Sequence, residues 1–206
     1  MTTKNVIFVT DGDEYAERNL VFAAKTFNAE CLLQSRGNPS LRTGKQLLDD
    51  IQKSNSDLLF LMFDDCGSTG TGPGEMAMLE IAADPSVKLL GVVAVASKTR
   101  KGGGEWTLVN VSIDRYGELT QHSIDKSGVQ DIEIGRIHGD TVDCLQKLPT
   151  NLIVGIGDIG KMDGRDDVKK GAPITCLAIS TILERSGFLY GERNEDEDKN
   201  AHQHKH

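Results

Sequence analysis

The chain has 206 residues, 38% of them hydrophobic and 26% charged, a balance that suits one globular core and is too apolar for a disordered chain. Asp and Glu outnumber Lys and Arg by 31 to 23, and the resulting charge of -8 repels a phosphate backbone, so nucleic acid is excluded as an expected partner. Cys31, Cys66, Cys144 and Cys176 lie far apart with no CxxC pair, which argues against a disulfide framework or a structural zinc site.

The first residues, MTTKNVIFVTDGDE, turn acidic after a short apolar run, with neither a signal-peptide pattern nor a stretch of membrane-spanning length. An intracellular protein without direct membrane insertion is the expectation. NVIFVT (5–10) reads as a strand, and Leu20, Ala23, Ala24 and Phe27 recur after it at helical spacing. The alternation repeats as ECLLQ (30–34) and a helix near 43–53, DLLFLMF (57–63) and a helix near 74–83, then the strand KLLGVVAVA (88–96). Short continuous apolar runs separated by helices imply strands buried on both faces, hence a parallel sheet with right-handed crossovers.

After Ser97 the rhythm changes: KTRKGGGE reads as a flexible loop, and WTLVNVSI, GELTQHSI and VQDIEIGRI alternate by twos like antiparallel strands. Helices near 140–147 and 174–186 flank a last strand, NLIVGI (151–156). The reading is a single α/β domain over 1–191, three-layered and Rossmann-like, with a mostly parallel sheet and an antiparallel β insertion at about 105–138. From Glu192 the chain has almost no apolar residues, so 192–206 is expected to be a disordered charged tail, with His202, His204 and His206 solvated rather than bound to metal.

Acids gather after the strands: Asp11, Asp13 and Glu14 after the first, Asp64 and Asp65 after the third, Asp158 after the last. Ligands of open parallel sheets bind beyond the carboxyl ends of the strands, so these loops are candidates to share one crevice. Converging carboxylates need a cation or hydrogen-bond donors between them, which makes Asp11, Asp13, Asp64, Asp65 and Asp158 candidate ligands for Ca2+ or Mg2+. The competing reading, favoured for any single acid, is that it caps the helix that follows.

CGSTGTGPGE (66–75) offers Gly70, Gly72 and Gly74 as an anion cradle, or simply as a mobile turn; it is neither a Walker loop nor a dinucleotide fingerprint. GIGDIGK (155–161) ranks first as a site, because Gly157, Asp158, Gly160 and Lys161 combine close-approach glycines, an acid and a base at a strand end. His122 and His138 read as structural, and Trp106 as buried against the sheet.

An enzyme reading uses the same edge. DGD (11–13), Ser97, Lys161, Asp158 and Asp163 loosely resemble haloacid-dehalogenase-type phosphatases, with Asp11 as nucleophile, Asp13 as acid/base, Ser97 and Lys161 on phosphate, and Asp158 and Asp163 on magnesium. Tyr15 and the placement of Lys161 depart from that pattern.

A longer resemblance runs through the chain. VTDGDEYA (9–16), MFDDCGSTGTGPGE (62–75), LLGVVAVASKT (89–99), GDTVDCL (139–145) and VGIGDIGKMDGRDDVKKGAPIT (154–175) resemble the soluble form of stage V sporulation protein AE over about residues 5–187. The resemblance implies a noncatalytic accessory component of the stage V sporulation protein A machinery, which moves calcium and dipicolinic acid into the spore and releases them in germination. It further implies partners among the other proteins of that machinery, calcium dipicolinate as a candidate ligand, and a peripheral place at the inner spore membrane. A magnesium-dependent phosphatase-like enzyme is the alternative.

Overall fold

Residues 3–67, 70–97 and 105–188 are described in the computed structural model of the protein. The flexible-loop expectation at 98–104 and the tail at 192–206 lie outside them. Four helices and a seven-stranded mixed sheet form the body: β1 (Lys4–Val9), α1 (Glu14–Thr26), β2 (Glu30–Cys31), α2 (Gly44–Lys53), β3 (Leu58–Met62), α3 (Pro73–Ala82), β4 (Val87–Val95), β5 (Trp106–Leu108), β6 (Val111–Ile113), β7 (Leu119–Thr120), β8 (His122–Ile124), β9 (Gln130–Ile134), β10 (Arg136–His138), β11 (Ile153–Ile156) and α4 (Pro173–Arg185). The sheet order is β2-β3-β1-β4-β11-β6-β7, parallel except for β7.

Central strands are buried on both faces because they carry nothing but apolar side chains: every residue of β3 and β11 is buried. Phe8 and Phe63 meet edge to face at 5.0 Å within this core. The chain moves one way along the sheet from β1 to β2 and the opposite way from β2 to β3 and on to β4, so right-handed crossovers put α1 on one face and α2 and α3 on the other. Helix α4 packs with α1, which completes the three layers. Among the described residues no helix is long and apolar enough to cross a membrane.

Each helix start is fixed by a side chain. Asp13 caps α1 through the amides of Tyr15 and Ala16, and Thr43 and Gln46 form a reciprocal capping box on α2. Asp65 reaches the amides of Gly74 (2.7 Å) and Glu75 at the start of α3, and Asp166 those of Ile174 (2.8 Å) and Thr175 at the start of α4. Caps of this kind stabilise by about 1 kcal/mol each.

The antiparallel region differs from its sequence pattern. Each run of alternating residues is broken into two short strands, and β6, the second half of the first run, joins the main sheet parallel to β11 while pairing antiparallel with β7. Asn110 causes the first break: its Oδ1 accepts from the Ile153 amide (2.7 Å) while its own amide donates to Ile153 O (2.9 Å), stitching the chain onto β11. Gly135, at φ 67°, separates β9 from β10. β5 pairs with β10 and β8 with β9, two small ribbons beside the sheet.

The helix expected at 140–147 reduces to a single 3-10 turn, Leu145–Lys147. Its residues are engaged elsewhere: the Thr141 hydroxyl accepts from Asp65 N, and Cys144 N donates to Glu75. The strand expected at 30–34 keeps only Glu30–Cys31 before a 3-10 turn. Trp106 is 44% exposed rather than buried, with the Arg136 guanidinium 4.2 Å above its ring.

Candidate functional site

Register decides where the strand ends emerge. Val9 lies opposite both Met62 and Val93, and Ile156 opposite Val95, so β1, β3, β4 and β11 end along one edge of the sheet. The residues just beyond them, Asp11, Asp64, Ser97 and Asp158, line a common cleft of about 260 Å³. Asp13, Asp140, Lys126 and Lys161 complete its charged lining.

Four of the five carboxylates expected to converge do so. Asp11 is buried, and burial first, then the neighbouring charges of Asp13, Asp158 and Asp64, hold its carboxyl well above the usual carboxylate range. Asp64 is pushed up to about 6, chiefly by burial, although its Oδ1 accepts from Cys66 N (2.6 Å). Asp158 accepts from Gly160 N (3.2 Å) and pairs with Lys161, whose ammonium is stabilised first by that hydrogen bond. Asp13 lines the cleft but spends its Oδ1 on the α1 amides at 2.7 and 3.0 Å. The lining is therefore a mixed surface in which carboxyl groups stand among the two ammonium groups of Lys126 and Lys161.

Asp65 does not belong to it. Its carboxylate faces α3, where a Cβ on Gly72 would come within 2.3 Å of its Oδ1. Among the described residues no three His, Cys, Asp or Glu side chains are placed to hold a metal ion, so the expected five-carboxylate ligand set is not assembled. The glycines offered as an anion cradle, Gly70, Gly72 and Gly74, stand apart as well: Gly70 N donates to Glu105, and Gly74 N donates to Asp65, so protein carboxylates occupy two of those amides. Gly157 and Gly160 serve close packing. A Cβ at Gly157 would lie 2.7 Å from both Gly128 N and Met162 Sδ, and one at Gly160 would meet the Tyr15 ring at 3.1 Å.

Two lining residues went unread. Asp140 follows β10, accepts from Ser97 Oγ at 2.8 Å and from Gly67 N, and so ties three loops together. Its neighbours in GDTVDCL were the available signal. Lys126 sits in the β8–β9 turn, and nothing in DKSG announces that it arrives here; Asp158 N donating to Lys126 O (2.9 Å) fixes that turn against the β11 loop. Cys66 and Gly67 also line the cleft, both in the left-handed region at φ 55° and 71°. Asp163 lies elsewhere, paired with Arg115 at 3.0 Å, and His138 bonds Glu133 at 2.9 Å.

Fold and cleft together define an α/β protein with a polar cleft at the carboxyl edge of a mostly parallel sheet. Within that class the chain belongs to the stage V sporulation protein AE1 family, which it matches over residues 5–186. That membership gives it a role related to sporulation. Neither a curated protein nor a solved structure matches it.

Proposed function

We propose that the protein is a noncatalytic accessory component of the spore machinery that moves calcium and dipicolinic acid, and that its strand-end cleft senses their complex. The observation that carries this reading is the mixed charge of the cleft: Asp11, Asp64, Asp140 and Asp158 stand beside Lys126 and Lys161. A bare divalent ion prefers six or more oxygen ligands and no ammonium neighbours. Calcium already chelated by dipicolinate needs fewer protein oxygens and brings carboxylates that two lysines can meet. Partner proteins of the same machinery would hold the acidic chain at the inner spore membrane, since its net charge of -8 gives little attraction to anionic lipid.

The phosphatase reading has one supporting fact, that Asp11, Ser97, Asp158 and Lys161 share the cleft. Against it, Asp163 pairs with Arg115 instead of lining the cleft, and burial disfavours the ionised form of Asp11 that a nucleophile needs. Differential melting with calcium dipicolinate, calcium alone and dipicolinate alone tests the choice. The complex should stabilise more than either component, and Asp158→Asn with Lys161→Ala should abolish the difference. Metal-dependent hydrolysis of a simple phosphomonoester, lost in Asp11→Asn, would instead establish the enzyme.

A further inference from the structure

A second cleft, of about 240 Å³, lies between the β6–β7 turn and the segment that leads from β11 into α4, and its lining carries Arg115, Arg165 and Lys170 around Tyr116. Such a concentration of cations is unexpected on a chain of net charge -8. Arg115 is already offset: Asp163 pairs with its Nη1 at 3.0 Å, and the charges of Asp114 and Asp125 act on it as well. Both guanidinium carbons lie close to one ring, Arg115 at 5.3 Å and Arg165 at 4.4 Å from the Tyr116 centroid. Each contact is attractive, but two like charges gathered on one aromatic repel each other unless an anion joins them.

The donors needed to bind that anion are free. Arg165 makes no side-chain hydrogen bond or ion pair among the described residues, and Arg115 Nε is buried without a partner. Lys170 gives one hydrogen to Gly164 O at 2.7 Å and keeps two. The turn that delivers Arg165 runs through two successive left-handed residues, Asp163 at φ 51° and Gly164 at φ 61°. That conformation is uncommon for residues other than glycine, with aspartate among those that adopt it most readily. The start of α4 adds no anion affinity, because Pro173 has no amide hydrogen and Asp166 already takes the next two amides.

We propose that this cleft binds a phosphate group, free or borne by a small molecule. With Arg115 offset by its own carboxylates, Arg165 and Lys170 have no ion pair among the described residues and leave two charges that a dianion matches, and a tetrahedral group offers oxygens in several directions where a monocarboxylate offers one edge. Guanidinium forks suit phosphate oxygens in pairs, and lysine supplies a movable point charge. The site is distinct from the strand-end cleft, with which it shares no lining residue.

Calorimetry and thermal melting with inorganic phosphate, against sodium chloride at matched ionic strength, test it. At ten times the dissociation constant, phosphate should raise the melting temperature by about 3–6 °C for a chain of this size. Arg165→Ala combined with Lys170→Ala should weaken binding at least tenfold; both positions are exposed, so folding is not at stake. An equal response to chloride, a full response in the double variant, or loss of the response in Lys161→Ala would each overturn the proposal, the last by placing the anion in the other cleft. Sedimentation with phosphatidic acid vesicles, whose headgroup is a phosphomonoester, abolished by the same double variant, would identify the phosphate as a lipid headgroup; phosphate binding without sedimentation would identify a soluble ligand.

Discussion

Glu75 offers the sharpest test of how burial sets charge in this fold. It sits in the first turn of α3, wholly buried, with Oε1 accepting from Cys144 N at 2.9 Å and Oε2 without a partner. Burial first, then the charges of Asp65, Glu105 and Asp143, push its carboxyl from 4.5 up to about 7. Because the folded chain binds this proton more tightly than the unfolded chain, the group costs nothing below about pH 4.5 and costs progressively more as pH climbs through 7. At about 1.4 kcal/mol per pH unit the ceiling is roughly 3 kcal/mol. Glu75→Gln keeps the acceptor for Cys144 N, removes the ionisation and turns two amide hydrogens toward a carboxylate-rich surrounding. It should therefore stabilise by about 1–3 kcal/mol at pH 8, or about 2–10 °C in melting temperature, and by little at pH 5. Urea titrations of both proteins at the two pH values measure this. A variant equally affected at both values, or destabilised more at pH 8, would mean that the anion is needed and that the reasoning is wrong.

Asp11→Asn should likewise raise stability at pH 8 more than at pH 5, since the same sign applies to its elevated carboxyl; melting at both values decides. Asp166→Ala should cost about 2–4 kcal/mol, because it removes the cap of α4 and the Oδ2 that accepts from Asn19 Nδ2 at 3.1 Å and from the Thr175 hydroxyl at 2.6 Å; denaturant titration would read the loss. Gly157→Ala should cost about 1–3 kcal/mol by driving a methyl into Gly128 N, with Gly164→Ala as a strain control in open space, compared by thermal melting.

Much of the body was legible because its signals are local. β1, β3, β4 and β11 announce themselves as apolar runs, and α1, α2, α3 and α4 by helical spacing and their proline or polar starts. Residues 105–147 were not, since there the pattern describes single residues while the outcome depends on distant partners. Asn110 turns an alternating run into two strands only because Ile153 lies beside it, and Asp140 and Cys144 leave a helical pattern for Ser97 and Glu75. The acids at the strand ends were predicted to converge, and Asp11, Asp13, Asp64 and Asp158 do; Asp64 lines the cleft while its neighbour Asp65 caps α3, and Asp13 does both.

The block that carries the family's longest motif, 154–175, also shows why its residues are so particular. Asp158 and Lys161 face the strand-end cleft, Arg165 and Lys170 face the cationic one, and Gly157 and Asp166 do neither. These last two are the anchors. Gly157 lets the β8–β9 turn press against the β11 loop, and Asp166 binds the far end of the segment to α1 through Asn19 and to α4 through Ile174 and Thr175. A segment fixed at both ends holds its charged side chains in place before any ligand arrives, so little ordering entropy is left to oppose binding. The two clefts are joined along the stretch from Asp158 to Arg165 and also through the β8–β9 turn, whose Lys126 lines one cleft while Gly128 O accepts from the Arg115 amide (2.8 Å) of the other.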